Sequence, residues 1–382
     1  MHIAWLGKKS PFCGNVTYGR EVTNALLDRG HQVNFLHFAQ EEETDDIQSE
    51  RHEVSIPFLY KSQIYTIPSF KSSKVLIQSL RRLKPDLVHA SLTLSPLDFV
   101  LPEICEELNL PLIATFHPPF DRKRRNLTSG TQHLMYQLYA PFLAHYHRVI
   151  VFSHIQRDLL VRLGVPEAQV VIIPNGVDAE KYSPGLSRIK TELNAQRLFV
   201  YQGRIAAEKN VESLLRAWKH SEMEANSKLA IVGNGPLAPS LQAFYGSEHG
   251  IVWLGFVADE QRRIEILRGS DMFILPSLVE GLSLSLLEAM SCGVACIATD
   301  AGADGEVLED GAGIVLNTHR VSTQLQTLLP VFRDHVELTT LLGRKARQRV
   351  LDRYTLSQNI TLLEELYRQV LQQQRIYMNR SV

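Results

Sequence analysis

The sequence has few of the features that mark disulfide-rich, membrane-spanning or nucleic-acid-binding proteins. Its 382 residues include four cysteines without paired spacing, which indicates neither a disulfide framework nor a cysteine metal site. The net charge is −1, so no general attraction to nucleic acid is expected. No apolar run reaches the length of a membrane span, and the opening MHIAWLGKKS lacks the pattern of a signal peptide. These absences predict a cytoplasmic globular protein.

Several catalytic motifs are also missing. The chain contains no Walker-A sequence, no G-x-S-x-G and no G-x-G-x-x-G, which disfavours P-loop enzymes, serine hydrolases of the α/β type and classical dehydrogenases. It contains no D-x-D, so no dedicated carboxylate cage for Mg²⁺ or Mn²⁺ is visible. We therefore expect neither a metal nor another cofactor.

Short apolar runs alternate with helical segments through both halves of the chain. The predicted strands are 2–7, 32–38, 86–91, 111–117 and 148–153 in the first half, and 197–203, 228–234, 251–256, 272–276, 294–299 and 312–316 in the second. Such alternation is typical of a parallel, doubly wound sheet. Because the length favours two domains, the sequence predicts an α/β protein with two Rossmann-like domains facing a cleft.

A polar stretch with Pro184 and Gly185 separates the two halves and is the best candidate for a linker. We expect an N-terminal domain over 1–182, a linker over 183–196 and a C-terminal domain over 197–354. The last residues, 355–382, are predicted to form a long helix that packs back on the first domain.

The stretch EGLSLSLLEAMSCGVAC, residues 280–296, combines a strand end, a loop and a helix start with two carboxylates. Ligands of parallel sheets bind outside the carboxyl ends of strands, and free amides at a helix start favour an anion. The amides from Leu282 to Ser285 could thus meet a phosphate, with Glu280 and Glu288 beside hydroxyl groups. An alternative of about equal weight is structural, because Ser285-Leu-Leu-Glu288 also matches a capping box.

Two further features follow predicted strands of the second half. Gly203, Arg204 and Lys209 follow the first strand, and Gly233-Asn-Gly235 follows the second. Arg204 and Lys209 could neutralise a diphosphate, and the two later glycines could permit close backbone approach. Taken singly, each cation is more often a solvated charge and each glycine more often a turn. Convergence at one sheet edge favours a ligand site.

The order of these motifs resembles that of the family-4 glycosyltransferases, which have the GT-B fold. The matching segments are Gly203-Arg-x4-Lys209, Val232-Gly-Asn-Gly-Pro236, Leu254-Gly-Phe256, Asp271-x4-Pro276-Ser277, Glu280-x7-Glu288-Ala-Met290 and Ile173-Pro-Asn-Gly-Val-Asp178. The resemblance covers nearly the whole chain. It implies a retaining, metal-independent transferase that uses a nucleotide sugar, with the acceptor on the first domain.

The resemblance also implies roles for individual residues. Arg204 and Lys209 would hold the diphosphate, Glu288 the ribose and Glu280 the donor sugar. Amides around Leu282, Ser283 and Leu284 would meet phosphate or sugar, the backbone at Gly255 and Phe256 would meet the base, and the glycines Gly14, Gly203, Gly233 and Gly235 would line the donor site.

His117, in Thr-Phe-His, matches a family histidine near the donor sugar and leaving group. A loop histidine that caps a strand end is an equally weighted alternative. The sequence departs from the family at Cys13-Gly14-Asn15, where a double glycine is usual, and at Pro118-Pro119, where an acid is common. Both departures leave the donor site intact and weaken inference about the acceptor.

A basic surplus lies in the first half. From 61 to 84 the chain has six Lys or Arg and no acid, and Arg122-Lys-Arg-Arg125 follows His117 closely. Residues 69–84 predict an amphipathic basic helix, which could contact a membrane peripherally, although an ordinary solvated surface is the commoner explanation.

The acceptor is predicted less directly than the donor. The opening, residues 1–33, resembles the cyanobacterial galactosyltransferases that extend a galactolipid, which implies a UDP-galactose donor and a membrane-lipid acceptor. A transferase acting on a soluble sugar or polysaccharide is the alternative within the class. A non-catalytic protein that binds sugar nucleotides is the alternative outside it, and the sequence leaves the oligomeric state open.

Overall fold

Two separate parallel β-sheets organise the chain. The structure is a computed structural model that describes residues 1–10, 14–39, 53–62, 65–119, 127–223 and 225–380. Of these, the N-terminal unit contains Met1–Pro118, 127–175 and 356–380, and the C-terminal unit contains Gly176–Thr355. Each unit has its own parallel sheet, so the predicted α/β class with two Rossmann-like domains is confirmed.

The N-terminal unit is built on a seven-stranded parallel sheet. The strands of the whole unit, including two outside this sheet, are β1 (His2–Gly7), β2 (Gln32–Phe38), β3 (Glu53–Ile56), β4 (Phe58–Lys61), β5 (Thr66–Pro68), β6 (Leu87–Ser91), β7 (Leu112–Thr115), β8 (Arg148–Val151) and β9 (Val170–Ile172). The sheet order is β3-β2-β1-β6-β7-β8-β9, and β4 pairs with β5 in a separate antiparallel hairpin. The helices are α1 (Gly14–Asp28), α2 (Ser72–Leu83), α3 (Leu97–Glu107), α4 (Leu127–Leu143) and α5 (His154–Arg162).

The C-terminal unit is built on a six-stranded parallel sheet. Its strands are β10 (Arg197–Gln202), β11 (Ser227–Val232), β12 (Ile251–Gly255), β13 (Met272–Leu275), β14 (Ala295–Thr299) and β15 (Ile314–Leu316), in the order β12-β11-β10-β13-β14-β15. The helices are α6 (Ile189–Glu192), α7 (Val211–His220), α8 (Ala238–Phe244), α9 (Glu260–Gly269), α10 (Leu284–Ser291), α11 (Asp304–Val307), α12 (Val321–Asp334) and α13 (Val336–Arg353).

The last helix, α14 (Leu356–Arg380), belongs to the N-terminal unit although the chain has passed through the other unit first. It packs on α1. Glu364 of α14 accepts hydrogen bonds from Arg29 at 3.1 Å and His31 at 2.7 Å, and the Tyr367 hydroxyl meets His89 at 2.6 Å. These contacts explain why a helix at the end of the sequence completes the first domain.

Each predicted strand corresponds to a strand of the structure. The prediction succeeds because both faces of a parallel sheet are covered, so its strands are largely apolar. In β1, for example, Ile3, Ala4 and Trp5 are fully buried. Helix α1 begins at Gly14, earlier than the predicted start at Arg20, so Gly14 and Asn15 lie in a helical turn instead of a loop. The sequence patterns also missed β3, β4, β5 and β9, which have only three or four residues each.

The predicted linker, 183–196, is instead an integral part of the C-terminal unit. Arg268 donates a hydrogen bond to the Ser183 carbonyl at 2.7 Å, and Ser187 Oγ donates to the Glu265 carbonyl at 2.8 Å. Ile189 of α6 is fully buried. The stretch is polar because its side chains bind α9, which composition alone cannot distinguish from a solvated linker.

A search of the described helices for membrane spans finds none that is long and apolar enough to cross a bilayer.

Candidate donor-binding site

The carboxyl ends of β10, β11 and β13 carry the predicted site residues. These strands are neighbours, because β10 pairs with β11 on one side and with β13 on the other. Gly203 follows β10, Gly233 follows β11 and the loop that contains Glu280 follows β13. In a parallel sheet these ends share one edge, where ligands bind. The structure therefore brings the three predicted motifs together.

Lys209 and Glu280 form the central ion pair of this edge. Lys209 Nζ lies 2.5 Å from Glu280 Oε1, which also accepts a hydrogen bond from Ser277 Oγ at 2.7 Å. Only 9% of the Glu280 side chain is exposed. An ion pair this deeply buried needs both partners, because removal of one leaves an uncompensated charge. Glu280 is thus held rigidly at the strand end.

Arg204 is the second cation, and its environment differs. Its guanidinium pairs with Glu208, and 38% of its side chain is exposed. The Tyr201 hydroxyl donates to the Arg204 carbonyl at 2.7 Å and fixes the backbone there. Arg204 thus carries a partly exposed side chain on a fixed backbone, which suits exchange of its carboxylate partner for a phosphate.

Asp304 is a site residue that the sequence analysis missed. It lies at the start of α11, after β14, and is fully buried. Its Oδ1 accepts the Ser283 N–H at 3.0 Å, and its Oδ2 has no hydrogen-bond partner within the described residues. Burial and the nearby Glu280 charge hold the pKa of Asp304 well above its usual range. Its position after the predicted strand 294–299 is the signal that could have identified it.

The start of α10 has fewer open amides than the sequence predicted. The Ser283 N–H, predicted to face an anion, is already bonded to Asp304. Ser283 is the N-cap, and its Oγ accepts the Leu286 N–H at 3.3 Å. The anion-binding prediction is therefore wrong for Ser283, because a carboxyl group of the same unit occupies its amide. Leu284 and Ser285 begin the helix after this cap.

Glu288 is not part of a capping box, so the structural alternative weighed for it is wrong. The N-cap is Ser283, two residues before the Ser285 that a capping box would use. The Glu288 carboxylate instead accepts a hydrogen bond from Gln202 Nε2 at 2.9 Å, at the end of β10. Burial raises the pKa of Glu288 to about 7, and Arg263 together with Tyr182 and Gln202 opposes this shift.

Gly233 and Gly235 permit a close approach, but the approach is to the protein's own backbone. A Cβ on Gly233 would lie 1.9 Å from the Gly203 carbonyl oxygen, and one on Gly235 would lie 2.3 Å from that of Ile205. Gly233 also has φ +133°, which L side chains rarely adopt. The loops after β10 and β11 therefore pack against each other only because these residues lack side chains.

The end of β12 extends the same edge. The Gly233 N–H donates to the Gly255 carbonyl at 2.7 Å, and Gly255 has φ +67°. Phe256 follows with 59% of its surface exposed. Because β11 and β10 separate β12 from β13, Gly255 and Glu280 lie at strand ends roughly 14 Å apart. This span suits an extended ligand.

His117 lies in the N-terminal unit, after β7. Its Nε2 is 2.8 Å from Ser91 Oγ at the end of β6, and its ring packs edge-on against Tyr18. Burial, reinforced by the charge of Lys8, lowers the pKa of His117 to about 3. His117 is thus neutral at physiological pH. The predicted basic cluster Arg122–Arg125 lies outside the described residues.

Two family matches cover most of the chain, and each lies largely within one unit. The family "Glycosyltransferase Family 4" matches residues 14–181, and "Glycosyl transferases group 1" matches residues 196–334. The protein is a GT-B glycosyltransferase of the group 1/family 4 type. The prediction of a glycosyltransferase is thereby confirmed.

The glycosyltransferase also has more distant relatives of named activity. It is 26% identical over 85% of both chains to the Escherichia coli UDP-Gal:alpha-D-GlcNAc-diphosphoundecaprenol alpha-1,3-galactosyltransferase. It is 25% identical to the Arabidopsis thaliana sulfoquinovosyl transferase SQD2. That match covers 73% of this chain but only 56% of the relative.

Solved structures share the fold of this glycosyltransferase at low identity. The Anabaena protein HepE, crystallised with UDP, has a TM-score of 0.77 at 16% identity, covering 96% of this chain and 99% of HepE. A sucrose-phosphate synthase from Thermosynechococcus elongatus has a TM-score of 0.76 at 18% identity, with coverage of 96% and 98%. These matches support the fold.

Proposed function

We propose that this glycosyltransferase moves a hexose, most simply galactose, from a UDP-sugar to a membrane glycolipid with retention of configuration. Formation of digalactosyldiacylglycerol from a monogalactosyl lipid is the specific reaction we infer from the opening of the sequence. The observation that carries the proposal is the convergence of Arg204, Lys209, Glu280 and Glu288 at one sheet edge.

The donor diphosphate would meet positive charge that the protein itself supplies. Arg204 has 38% of its side chain exposed, and Lys209 ends the short 3-10 turn Ala207–Lys209 that follows it in the sequence. The start of α10 adds the positive end of a helix dipole. We infer that these groups stabilise the leaving diphosphate without a divalent metal, as an electrostatic site can do when water is excluded.

The two carboxylates would bind the hydroxyl groups of the donor. Glu280 is fixed by Lys209 and Ser277, which suits orientation of the donor sugar. Glu288 is fixed by Gln202 at the end of β10, which suits the ribose. The exposed Phe256 after β12 suits the base, at the far end of an extended ligand.

A pH-dependent affinity for UDP is expected from Glu288. Its pKa of about 7 means that the carboxylate becomes protonated as the pH falls from 8 to 6. An ionised acceptor binds hydroxyl groups more strongly than a neutral one, so UDP should bind up to about tenfold more weakly at pH 6 than at pH 8. Calorimetric titration across this range measures the change.

The Glu288→Gln variant separates this effect from titration of the phosphate. Since the amide does not titrate, the variant should bind UDP weakly at every pH. Its affinity should change with pH only through titration of the UDP phosphate. A variant with the slope and affinity of the parent would exclude Glu288 from the ribose site.

A lipid acceptor is supported by the relative from Escherichia coli, whose named acceptor is a sugar on diphosphoundecaprenol. The N-terminal unit also offers an apolar surface that a lipid bilayer would cover. We call it the hairpin surface; its exposed residues are Leu59, Tyr60, Tyr65, Ile67 and Phe70. Exposed apolar clusters of this kind mark interaction sites.

Positive charge accompanies the hairpin surface. Phe70 is fully exposed, and the turn that carries it is tied to the hairpin by the Ser69 N–H, which donates to the Pro57 carbonyl at 3.4 Å. Exposed Lys71 and Lys74 follow directly. Aromatic residues beside lysines suit the interface of an anionic bilayer, where each cation contributes roughly 1 kcal/mol. The apolar face of the predicted basic helix does not belong to the hairpin surface and cannot contact a membrane, because its Leu76 and Leu80 are buried in the unit.

Vesicle flotation tests this surface. The protein should float with vesicles that contain 30 mol% (about a third) anionic phosphatidylglycerol and remain soluble with neutral phosphatidylcholine vesicles, and salt should release it by screening. Phe70→Ser combined with Leu59→Ser should reduce flotation several-fold, because two apolar anchors are lost.

Leu186→Ser is the matched control for flotation, since Leu186 is 97% exposed but lies in the other unit. It should float like the parent. Equal recovery in the soluble fraction with both lipids, together with full activity on a water-soluble acceptor, would favour the alternative of a soluble sugar acceptor.

The function itself is tested by turnover against a panel of nucleotide sugars with membrane lipid extract as acceptor. We expect release of UDP and a new glycolipid, fastest with UDP-galactose. If no nucleotide sugar is consumed with any acceptor, the chain is a non-catalytic binding protein and the proposal fails.

A further inference from the structure

A chain of hydrogen bonds at the edge of the N-terminal sheet ends at His117. Asn15 lies in the first turn of α1, Ser91 ends β6, and His117 follows β7. Asn15 Nδ2 donates to the Leu92 carbonyl at 3.1 Å, Ser91 Oγ donates to Asn15 Oδ1 at 2.8 Å, and His117 Nε2 lies 2.8 Å from Ser91 Oγ. Ser91 is buried, so water does not compete for its hydroxyl.

The direction of each bond in this chain follows from the first. The Leu92 carbonyl can only accept, so the amide nitrogen of Asn15 faces it and Oδ1 faces Ser91. Oδ1 can also only accept, so the single hydroxyl proton of Ser91 goes to Asn15. Ser91 Oγ then has only lone pairs for His117. Therefore Nε2 of His117 must carry the proton.

We propose that Asn15 and Ser91 are positioning residues that hold His117 in the Nε2–H tautomer, so that its Nδ1 accepts a hydrogen bond from a substrate hydroxyl group. Asn15 falls in the segment where the sequence departs from the double glycine of the family. The series of hydrogen bonds from Asn15 to His117 therefore gives this departure a chemical consequence.

The surroundings of His117 favour a neutral ring. Its neighbours within the described part of the unit are the rings of Tyr18 and Phe152, with centroids at 4.9 and 5.3 Å. Buried Lys8 adds positive charge nearby, and the pKa of His117 is lowered to about 3. A neutral imidazole has one donor and one acceptor nitrogen, and the tautomer decides which is which.

The tautomer restricts the ligand group that His117 can bind. In the described structure no group is within hydrogen-bonding distance of Nδ1. A lone pair at Nδ1 accepts a hydrogen bond from a hydroxyl group and repels a phosphate oxygen. His117 therefore contributes to sugar binding and not to stabilisation of the leaving diphosphate. This step rests on the proposed function, because it needs a sugar hydroxyl as substrate.

Nitrogen NMR of protein labelled in histidine tests the tautomer without any turnover. His117→Gln identifies the His117 signals by their loss. In the parent protein the proton should reside on Nε2. In Asn15→Ala the Ser91 hydroxyl is released and can donate to Nε2, so a large part of the population should move its proton to Nδ1. A parent ring protonated on Nδ1 would overturn the inference, whether or not the variant folds.

Kinetics supply the second readout. Asn15→Ala should lower kcat/KM about tenfold, the contribution of one hydrogen bond to the substrate, with UDP affinity unchanged. Tyr18→Phe is the matched control, because it removes a hydroxyl that contacts Thr115 at 3.3 Å but keeps the ring beside His117. It should keep the Nε2 proton. An unchanged proton position in Asn15→Ala would also overturn the inference, and a parent with no transferase activity but the expected tautomer would overturn only the proposed function.

Discussion

Replacement of Lys209 by methionine is expected to cause the largest loss of both activity and stability. Activity should fall at least about tenfold in kcat/KM, because a charge-assisted contact to the diphosphate contributes at least ~1.5 kcal/mol. The free energy of unfolding should also fall by about 3 kcal/mol, since Glu280 would remain buried without its partner. Donor-saturation kinetics and denaturant titration measure the two losses.

A double variant distinguishes these two roles of Lys209. Lys209→Met combined with Glu280→Gln removes both charges, so it should regain most of the stability but none of the activity. Arg204→Ala is the complementary control. Its ion pair with Glu208 is partly exposed, so stability should change little while kcat/KM falls at least about tenfold. Near-normal kcat/KM in both Lys209→Met and Arg204→Ala, with the fold intact, would contradict the donor-site assignment.

Gly233→Ala is expected to disrupt the sheet edge itself. The added Cβ would lie 1.9 Å from the Gly203 carbonyl oxygen, at a φ of +133° that alanine rarely adopts. The loops after β10 and β11 would have to separate, so the free energy of unfolding should fall by ~3 kcal/mol or more and UDP binding should be lost. Thermal melting and calorimetry of the purified variant provide the measurement.

Gly19→Ala is the matched control for this substitution. Gly19 lies within α1, and an added Cβ would make only ordinary contacts, the nearest at 3.6 Å. Since alanine favours helices more than glycine does, the variant should be as stable as the parent. A Gly233→Ala variant that melts at the parental temperature would show that the two loops do not depend on this close approach.

Eleven of the thirteen parallel strands in the described residues, and the donor-site loop, were predictable because their signals are local. Buried parallel strands are apolar on both faces, and the loop at Glu280 follows such a strand directly. The Glu280–Lys209 contact was not predictable from spacing alone. It depends on the pairing of β10 with β13, which brings together residues far apart in the sequence.

Glu288 shows how one pattern can support two structures. Ser285 and Glu288 have the spacing of a capping box, and only the helix boundary decides whether they form one. Because α10 is capped by Ser283, Glu288 lies beyond the first turn and contacts Gln202. A two-residue difference in helix start, which sequence patterns rarely resolve, decided between the two interpretations.

The contacts of Asp304 and of the Asn15–Ser91 pair could not be predicted, because they depend on partners from other elements of the sheet edge. Asp304 has an ordinary loop sequence around it, and only the fold places it under Ser283. The hairpin of β4 and β5 was missed for a different reason. Its strands have only three or four residues each, and the adjacent Leu59 and Tyr60 are both exposed, so the alternation of a half-buried strand is missing.

The most direct test of the proposed function is the structure of the product formed from UDP-galactose and a monogalactosyl lipid. Proton NMR of the purified lipid reports both the added sugar and the configuration of the new linkage. We predict one added galactose in the α-configuration of the donor, formed by the parent protein and not by Lys209→Met/Glu280→Gln. A β-linked product, or no galactolipid product while UDP-galactose is consumed with a soluble acceptor, would contradict the account.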